Sequence, residues 1–368
     1  LKLLAIDVGT GTQDILLLDT AQTVENAVKM VVPSPTRMVA GRIEEASRQG
    51  KALLVTGVNM GGGPSTGALK QHIALGLRAY ATPQAATTFD DDLNVVRSWG
   101  VTIVSDDEAS RLSDVARVET RDLDLETIRK ALAAFDVSPH FDGLAVAVLD
   151  HGEAPPGVSD RLFRFQHFRR VVESDNRILA FAYLPAELPS YLTRMRSVAE
   201  SARGEDCPLV LLDTGPAAAL GSLEDAQVAR HQADGVGLVN LGNMHALGFY
   251  LQGERILGLF EHHTGLLDGP ALESHITRFL QGRLTHEEVF EHHGHGCLML
   301  DTAPRPKDVF LAATGPQRVK FLKTGLRPYF ATPFGDMMVA GCFGLIRAFA
   351  HKVPAWGEEI ERALAQRV

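Results

Sequence analysis

The feature that most constrains this chain is a repeated unit: a short, nearly continuous apolar run that ends in Asp or Gly and is followed by a helix-length segment. LLAIDVG at 3–9, ALLVTG at 52–57, VTIVSD at 101–106, GLAVAVLDHG at 143–152, PLVLLDTG at 208–215, GLVNLG at 237–242 and DVFLAATG at 308–315 all follow it. Runs without polar alternation suit strands covered on both faces, so the unit predicts an α/β fold. Two stretches differ. LLAIDVGTGTQDILLLD and GVGLVNLGNMHALGFYLQGERILGLF join apolar runs through short Gly-containing turns, which predicts hairpins. The chain therefore reads as two hairpin-led α/β blocks. Apolar residues at helical spacing predict helices over 67–80, 125–135, 189–202, 269–282 and 356–368. The Pro-rich VVPSPTR and GEAPPGVSD mark connections.

Length and charge narrow the class. At 368 residues there is room for two or three domains, each with its own core. A formal charge of −9 disfavours general nucleic-acid binding, which draws its affinity from clustered Lys and Arg. The three cysteines, Cys207, Cys297 and Cys342, are far apart and odd in number, which argues against a disulfide framework and against secretion. LKLLAIDVGTG meets Asp7 before a signal-peptide core forms, and ILAFAYLPAELPSYL is interrupted by Pro185, Glu187 and Pro189. A cytoplasmic chain without a membrane partner is the expectation.

Several constellations carry chemistry. In AIDVGTGTQD, a strand delivers Asp7 to its end, and Gly9, Thr10, Gly11 and Thr12 form a turn whose N–H and hydroxyl groups suit phosphate oxygens. Asp7 is the candidate Mg²⁺ ligand there; an ordinary Gly-rich hairpin turn is an equal alternative. MGGGPSTGALK at 60–70 joins a strand to a helix, and Gly61, Gly62 and Gly63 at the helix start suit an anion or a substrate. It fails the P-loop pattern, and its GPSTG sets Ser65 too far from the strand end for a nucleophile elbow. Asp90, Asp91 and Asp92 are expected to cap the following helix. Histidine is concentrated in FEHHTG, with His262 and His263, and in THEEVFEHHGHGC, with His286, His292, His293, His295 and Cys297. Imidazole and thiolate together suit Zn²⁺ or Fe, but HHGHGC lacks helical register and neighbouring histidines seldom face one ion. A cleft loop shaped by Gly294 and Gly296 is therefore favoured over a metal site, with His262 and His263 reaching a bound substrate.

The order of these segments resembles the superfamily of acetate and sugar kinases, heat-shock chaperone ATPases and actin. AIDVGTGTQDILLLD resembles its first phosphate motif, and TGPAAALGSLED at 214–225 its first connecting helix. GVGLVNLGNMHALGFYL at 235–251 resembles the second phosphate motif, DVFLAATGPQRVKFL at 308–322 the adenosine motif, and MMVAGCFGLIRAFA at 337–350 the second connecting helix. Separately, VTGVNMGGGP, ALKQHIALGLRAYATPQAATTFDDDL and the later GHG resemble a family labelled pyruvate formate-lyase activating enzyme. Radical-SAM chemistry under that label would need CxxxCxxC, which this chain lacks. A cluster built from the cysteines of two chains in a homodimer stays open.

The superfamily resemblance implies two ribonuclease-H-like (actin-like ATPase) lobes facing a nucleotide cleft: 1–205 with an insertion at about 55–205, then 206–345, with 346–368 packing back on the first. It implies ATP and Mg²⁺ as cofactors. Gly242 and Asn243 would serve the second phosphate turn, and Thr314, Gly315 and Arg318 the adenosine. Asp150, at the end of GLAVAVLD, would be the base that takes a proton from an acceptor; a turn-capping role is the alternative. Where the second phosphate motif usually has Asp, this chain has Asn240, which lacks the charge that helps hold Mg²⁺ or orient water. The expectation is a slow Mg-dependent ATPase that acts as activator or reactivase of a partner enzyme. A small-molecule kinase and a nonhydrolysing nucleotide-binding module are the alternatives.

Overall fold

A computed structural model describes residues 1–300 and 308–365. In chain order its strands are β1 (Lys2–Val8), β2 (Thr12–Asp19), β3 (Val28–Pro33), β4 (Ala52–Gly57), β5 (Ala79–Ala81), β6 (Val101–Ile103), β7 (Val115–Thr120), β8 (Gly143–Val148) and β9 (Leu209–Leu212). After these come β10 (Val236–Leu241), β11 (His245–Gln252), β12 (Arg255–His263), β13 (Gly296–Met299), β14 (Phe310–Thr314) and β15 (Tyr329–Phe330). They form three sheets.

The first sheet has the order β3-β2-β1-β8-β9. β1 to β3 form an antiparallel meander, and β8 and β9 then add in parallel to β1. The second sheet, β13-β12-β11-β10-β14-β15, repeats this plan: β10 to β12 form the meander, β14 joins parallel to β10, and β15 parallel to β14. A meander followed by parallel strands on the far side of its first strand is the ribonuclease-H-like order, and it occurs twice in this chain. Of the strands added in parallel, β8, β9 and β14 are runs that read as continuously apolar. β8 and β9 are buried at every position because helices cover both faces.

One core joins the two sheets. Leu3, Ala145 and Val210 from the first, and Leu238 and Phe249 from the second, meet the helices Thr214–Ser222 and Ala340–Lys352 in a single buried cluster. These two helices cross very closely: a Cβ on Gly344 would sit 1.9 Å from the Ala217 carbonyl oxygen, so only glycine fits. The small residues of TGPAAALG and AGCFG are thus a backbone-to-backbone contact between the lobes.

The third sheet, β6-β5-β4-β7, is wholly parallel, has its own apolar core, and lies in the chain between β3 and β8. The helix predicted over 67–80 is a correction. It runs Gly63–Ala74, and Ala79–Ala81 pairs with β4 and β6 instead, because sheet pairing overrides the helical spacing there. The last helix runs Pro354–Leu364, and residues 366–368 of its predicted span lie outside the described residues. Its Glu359 accepts a hydrogen bond from Thr20 of the first sheet's meander. No helix among the described residues is long and apolar enough to cross a membrane.

Candidate functional site

The two hairpin turns are built alike. In the first, the Gly9 N–H donates to the Thr12 carbonyl at 2.9 Å; in the second, the Gly242 N–H donates to the His245 carbonyl at 2.9 Å. Asp7 and Asn240 occupy matching places two residues before these glycines. The turns also approach each other. A Cβ on Gly11 would lie 2.2 Å from Nδ2 of Asn243, so a side chain at residue 11 would have to displace the Asn243 amide. Between them lies a cavity of about 400 Å³.

Asp7, Gly9, Thr10, Thr12, Asn240, Gly242, Asn243, Thr314 and Gly315 all line this cavity, together with Asp150 and Gly61 to Gly63. Four of the residues assigned from the sequence to nucleotide or substrate do not. Gly11 stands behind the wall, against Asn243. Arg318 turns back to donate to the Gly315 carbonyl at 3.3 Å, since it starts a short 3-10 helix beneath the turn. His262 is fully buried, and its Nε2 shares a hydrogen bond with Nδ1 of His292 at 2.9 Å. Alternation along β12 sends His263 to the opposite face, where its ring is 4.8 Å from that of His295. Neither side chain of this pair lines the cavity.

Asp7 and Asp14 are direct partners across β1 and β2. Each has a buried Oδ1 with no hydrogen-bond partner. Burial, reinforced by Asp14 and Asp213, drives the Asp7 carboxyl well above its ordinary pKa. Burial likewise lifts Asp14 to about 7, against a hydrogen bond from Thr12 that pulls it down. Two crowded carboxyls with unused oxygens fit a hydrated divalent cation, which would satisfy those atoms and restore ionisation.

Asp150 is buried, and both of its oxygens are engaged: the Gly152 N–H donates to Oδ1 and the Met195 N–H to Oδ2, each at 2.8 Å. Burial raises its pKa to about 6 despite these bonds. The turn-capping alternative is thus realised in the same residue that faces the cavity. Gly61 to Gly63 open the helix Gly63–Ala74 at the cavity wall, while Ser65 is fully buried with its hydroxyl donating to the Gly62 carbonyl at 2.5 Å. Asp92 caps its helix by accepting from the Asn94 N–H.

The structure also brings together residues that the sequence reading did not connect. Arg164, 1% exposed, donates to Asp213 at 2.7 Å, to Glu261 at 2.9 Å and to the Asp150 carbonyl at 2.9 Å. It ties the end of β9 to β12, one residue from each sheet. Arg194 holds Asp122 at 2.7 Å beside it. No local motif marks the two carboxylate partners of Arg164, which lie 49 and 97 positions from it. His151, His245 and His295 also gather at the cleft, their ligand nitrogens all within 4.8 Å of one another. Only His295 belongs to the histidine-rich segment.

Residues 60–320 match the family described as "Putative pyruvate format-lyase activating enzyme (DUF1786)". The chain belongs to this family. The DUF1786 match takes in Gly61, Asp150, Asn240, Thr314 and Arg318 and stops short of Asp7 on one side and the helix Ala340–Lys352 on the other. No curated protein matches the chain. Among solved structures, a ROK family transcriptional regulator, a homolog of E. coli MLC protein, aligns at 10% identity and TM-score 0.26 over 70% of this chain, which spans 38% of that one. Ethanolamine utilization protein EutJ from Carboxydothermus hydrogenoformans aligns at 10% identity and TM-score 0.31, over 93% and 88% of the two chains. A Ppx/GppA family protein of Aquifex aeolicus gives 8% identity and TM-score 0.28, over 86% and 66%. The fold assignment of this DUF1786 member rests on its own strand order.

Proposed function

We propose that the cleft binds ATP with Mg²⁺ and that the chain is a slow Mg-dependent ATPase acting as activator or reactivase of a partner enzyme. The observation that carries this reading is the convergence of two equivalent Gly turns on one cavity, with Asp7 beneath the first and Asn240 beneath the second. Thr10 on the first turn and Asn243 on the second would hold phosphate oxygens, the Gly9 and Gly242 N–H groups being used to close the turns. Asp7, with Asp14 behind it, would hold the cation. Bound Mg²⁺ supplies neutralisation of the phosphate charge. Thr314 and Gly315 would flank the adenosine. Asn240 accepts or donates a hydrogen bond but carries no charge, so it orients water less strongly than a carboxylate would, which favours slow turnover.

Thermal melting with ATP, ADP and Mg²⁺ tests the reading, because a ligand that binds only the folded state raises its apparent stability. The expected result is a rise with nucleotide and Mg²⁺ that Asp7→Ala abolishes. No shift with any nucleotide would overturn it. Stimulation of ADP release by a partner would identify the activator.

A second reading, a small-molecule phosphotransferase, is favoured by Asp150. A carboxyl held near pKa 6 and facing the same cavity as Gly61 to Gly63 is matched to proton abstraction from an acceptor. Phosphoryl transfer to a member of a broad metabolite panel, lost in Asp150→Asn, would select it. No product from the panel would exclude it.

A further inference from the structure

We infer that His151, His245 and His295 form a transition-metal site of the Zn²⁺ class that joins the two lobes and keeps one coordination position open to the cleft. His151 follows β8 of the first sheet, His245 opens β11 of the second, and His295 precedes β13. Their rings lie 5.0 to 5.9 Å apart between centroids. A tetrahedral ion with nitrogen bonds of about 2.0–2.1 Å sets its ligands about 3.4 Å from one another, so small ring rotations close the observed spacing.

One observation points directly to an ion. Both ring nitrogens of His295, which is fully buried, and Nε2 of His245 have no hydrogen-bond partner. Buried polar atoms without partners are costly, and a cation satisfies them. His151 and His245 both line the cavity, so the remaining position faces its contents and suits an oxygen ligand. The other histidine group, His262, His275 and His292, is mostly satisfied internally: His262 bonds His292, and Nδ1 of His275 bonds the Ala271 carbonyl. It serves as the control.

The test uses the full chain stripped with chelator and titrated with Co²⁺ without nucleotide, so the result does not depend on ATP binding. The expected result is a visible ligand-field band that saturates at one equivalent and is displaced by Zn²⁺. It should be lost in His295→Ala and in His151→Gln, and kept in His292→Ala. His151 is only half-buried at the cleft edge, so its replacement tests the site even where His295→Ala fails to fold. The inference is overturned by no band in the wild type, by wild-type titration in His151→Gln, or by loss in His292→Ala alone.

Discussion

Replacing Asp14 with Asn separates the electrostatic cost of the cleft from its ligand-binding role. The side chain is 8% exposed, and one of its oxygens has no partner. Its pKa rises from 3.8 to about 7 in the folded protein, chiefly through burial. A raised carboxyl pKa means that the folded state binds the proton more tightly than the unfolded chain does. This stabilising contribution is complete below about pH 4 and is lost as pH rises through about 7. Over that window the loss amounts to as much as about 4 kcal/mol. Asparagine keeps the shape and removes the charge. At pH 8 without metal, Asp14→Asn should therefore raise Tm, on the order of 5 °C, with a much smaller change at pH 5. The same variant should lose the extra stabilisation that Mg²⁺ gives with nucleotide. Melting curves at both pH values, with and without Mg²⁺, provide the assay. A lower Tm at pH 8 in chelator, or an equal effect at the two pH values, would refute the reasoning.

Further outcomes follow from the lobe contact and the turn residues. Arg164→Met should leave Asp213 and Glu261 buried and unpaired and cost about 3–5 kcal/mol; unchanged urea unfolding would contradict the bridge. Gly344→Ala places a Cβ 1.9 Å from the Ala217 carbonyl oxygen. The strain of about 1–3 kcal/mol should exceed the helix-propensity gain of about 1 kcal/mol and lower the urea midpoint, whereas an unchanged or higher midpoint would show that the helices part freely. Asn240→Asp should increase the rate of ADP release from ATP, measured by a coupled assay. A rate no higher than wild type would show that the missing charge does not limit turnover.

Much of the fold was legible because its determinants are local. A strand covered on both faces needs an unbroken apolar run, and β1, β4, β8, β9, β10 and β14 each announced themselves that way. The Gly turns were legible for the same reason, since a tight return between antiparallel strands needs particular residues in consecutive positions. Short β5 was missed because three residues carry little pattern, and pairing with β4 and β6 outweighs the helical spacing around them. His262 and His263 part because strand alternation sends neighbours to opposite faces, one to His292 and the other toward His295.

By itself, the sequence determined two hairpin-led α/β blocks, the Gly turns with Asp7 and Asn240 at matching positions, and the small residues of the two helices that cross between them. Only the tertiary structure decided that Arg164 meets Asp213 and Glu261, and that His151, His245 and His295 share one space. The physical reason is range. Backbone conformation and one-face burial are set by neighbours in the chain, whereas an ion pair or a ligand cluster is set by where separate elements end once two sheets have packed on a common pair of helices.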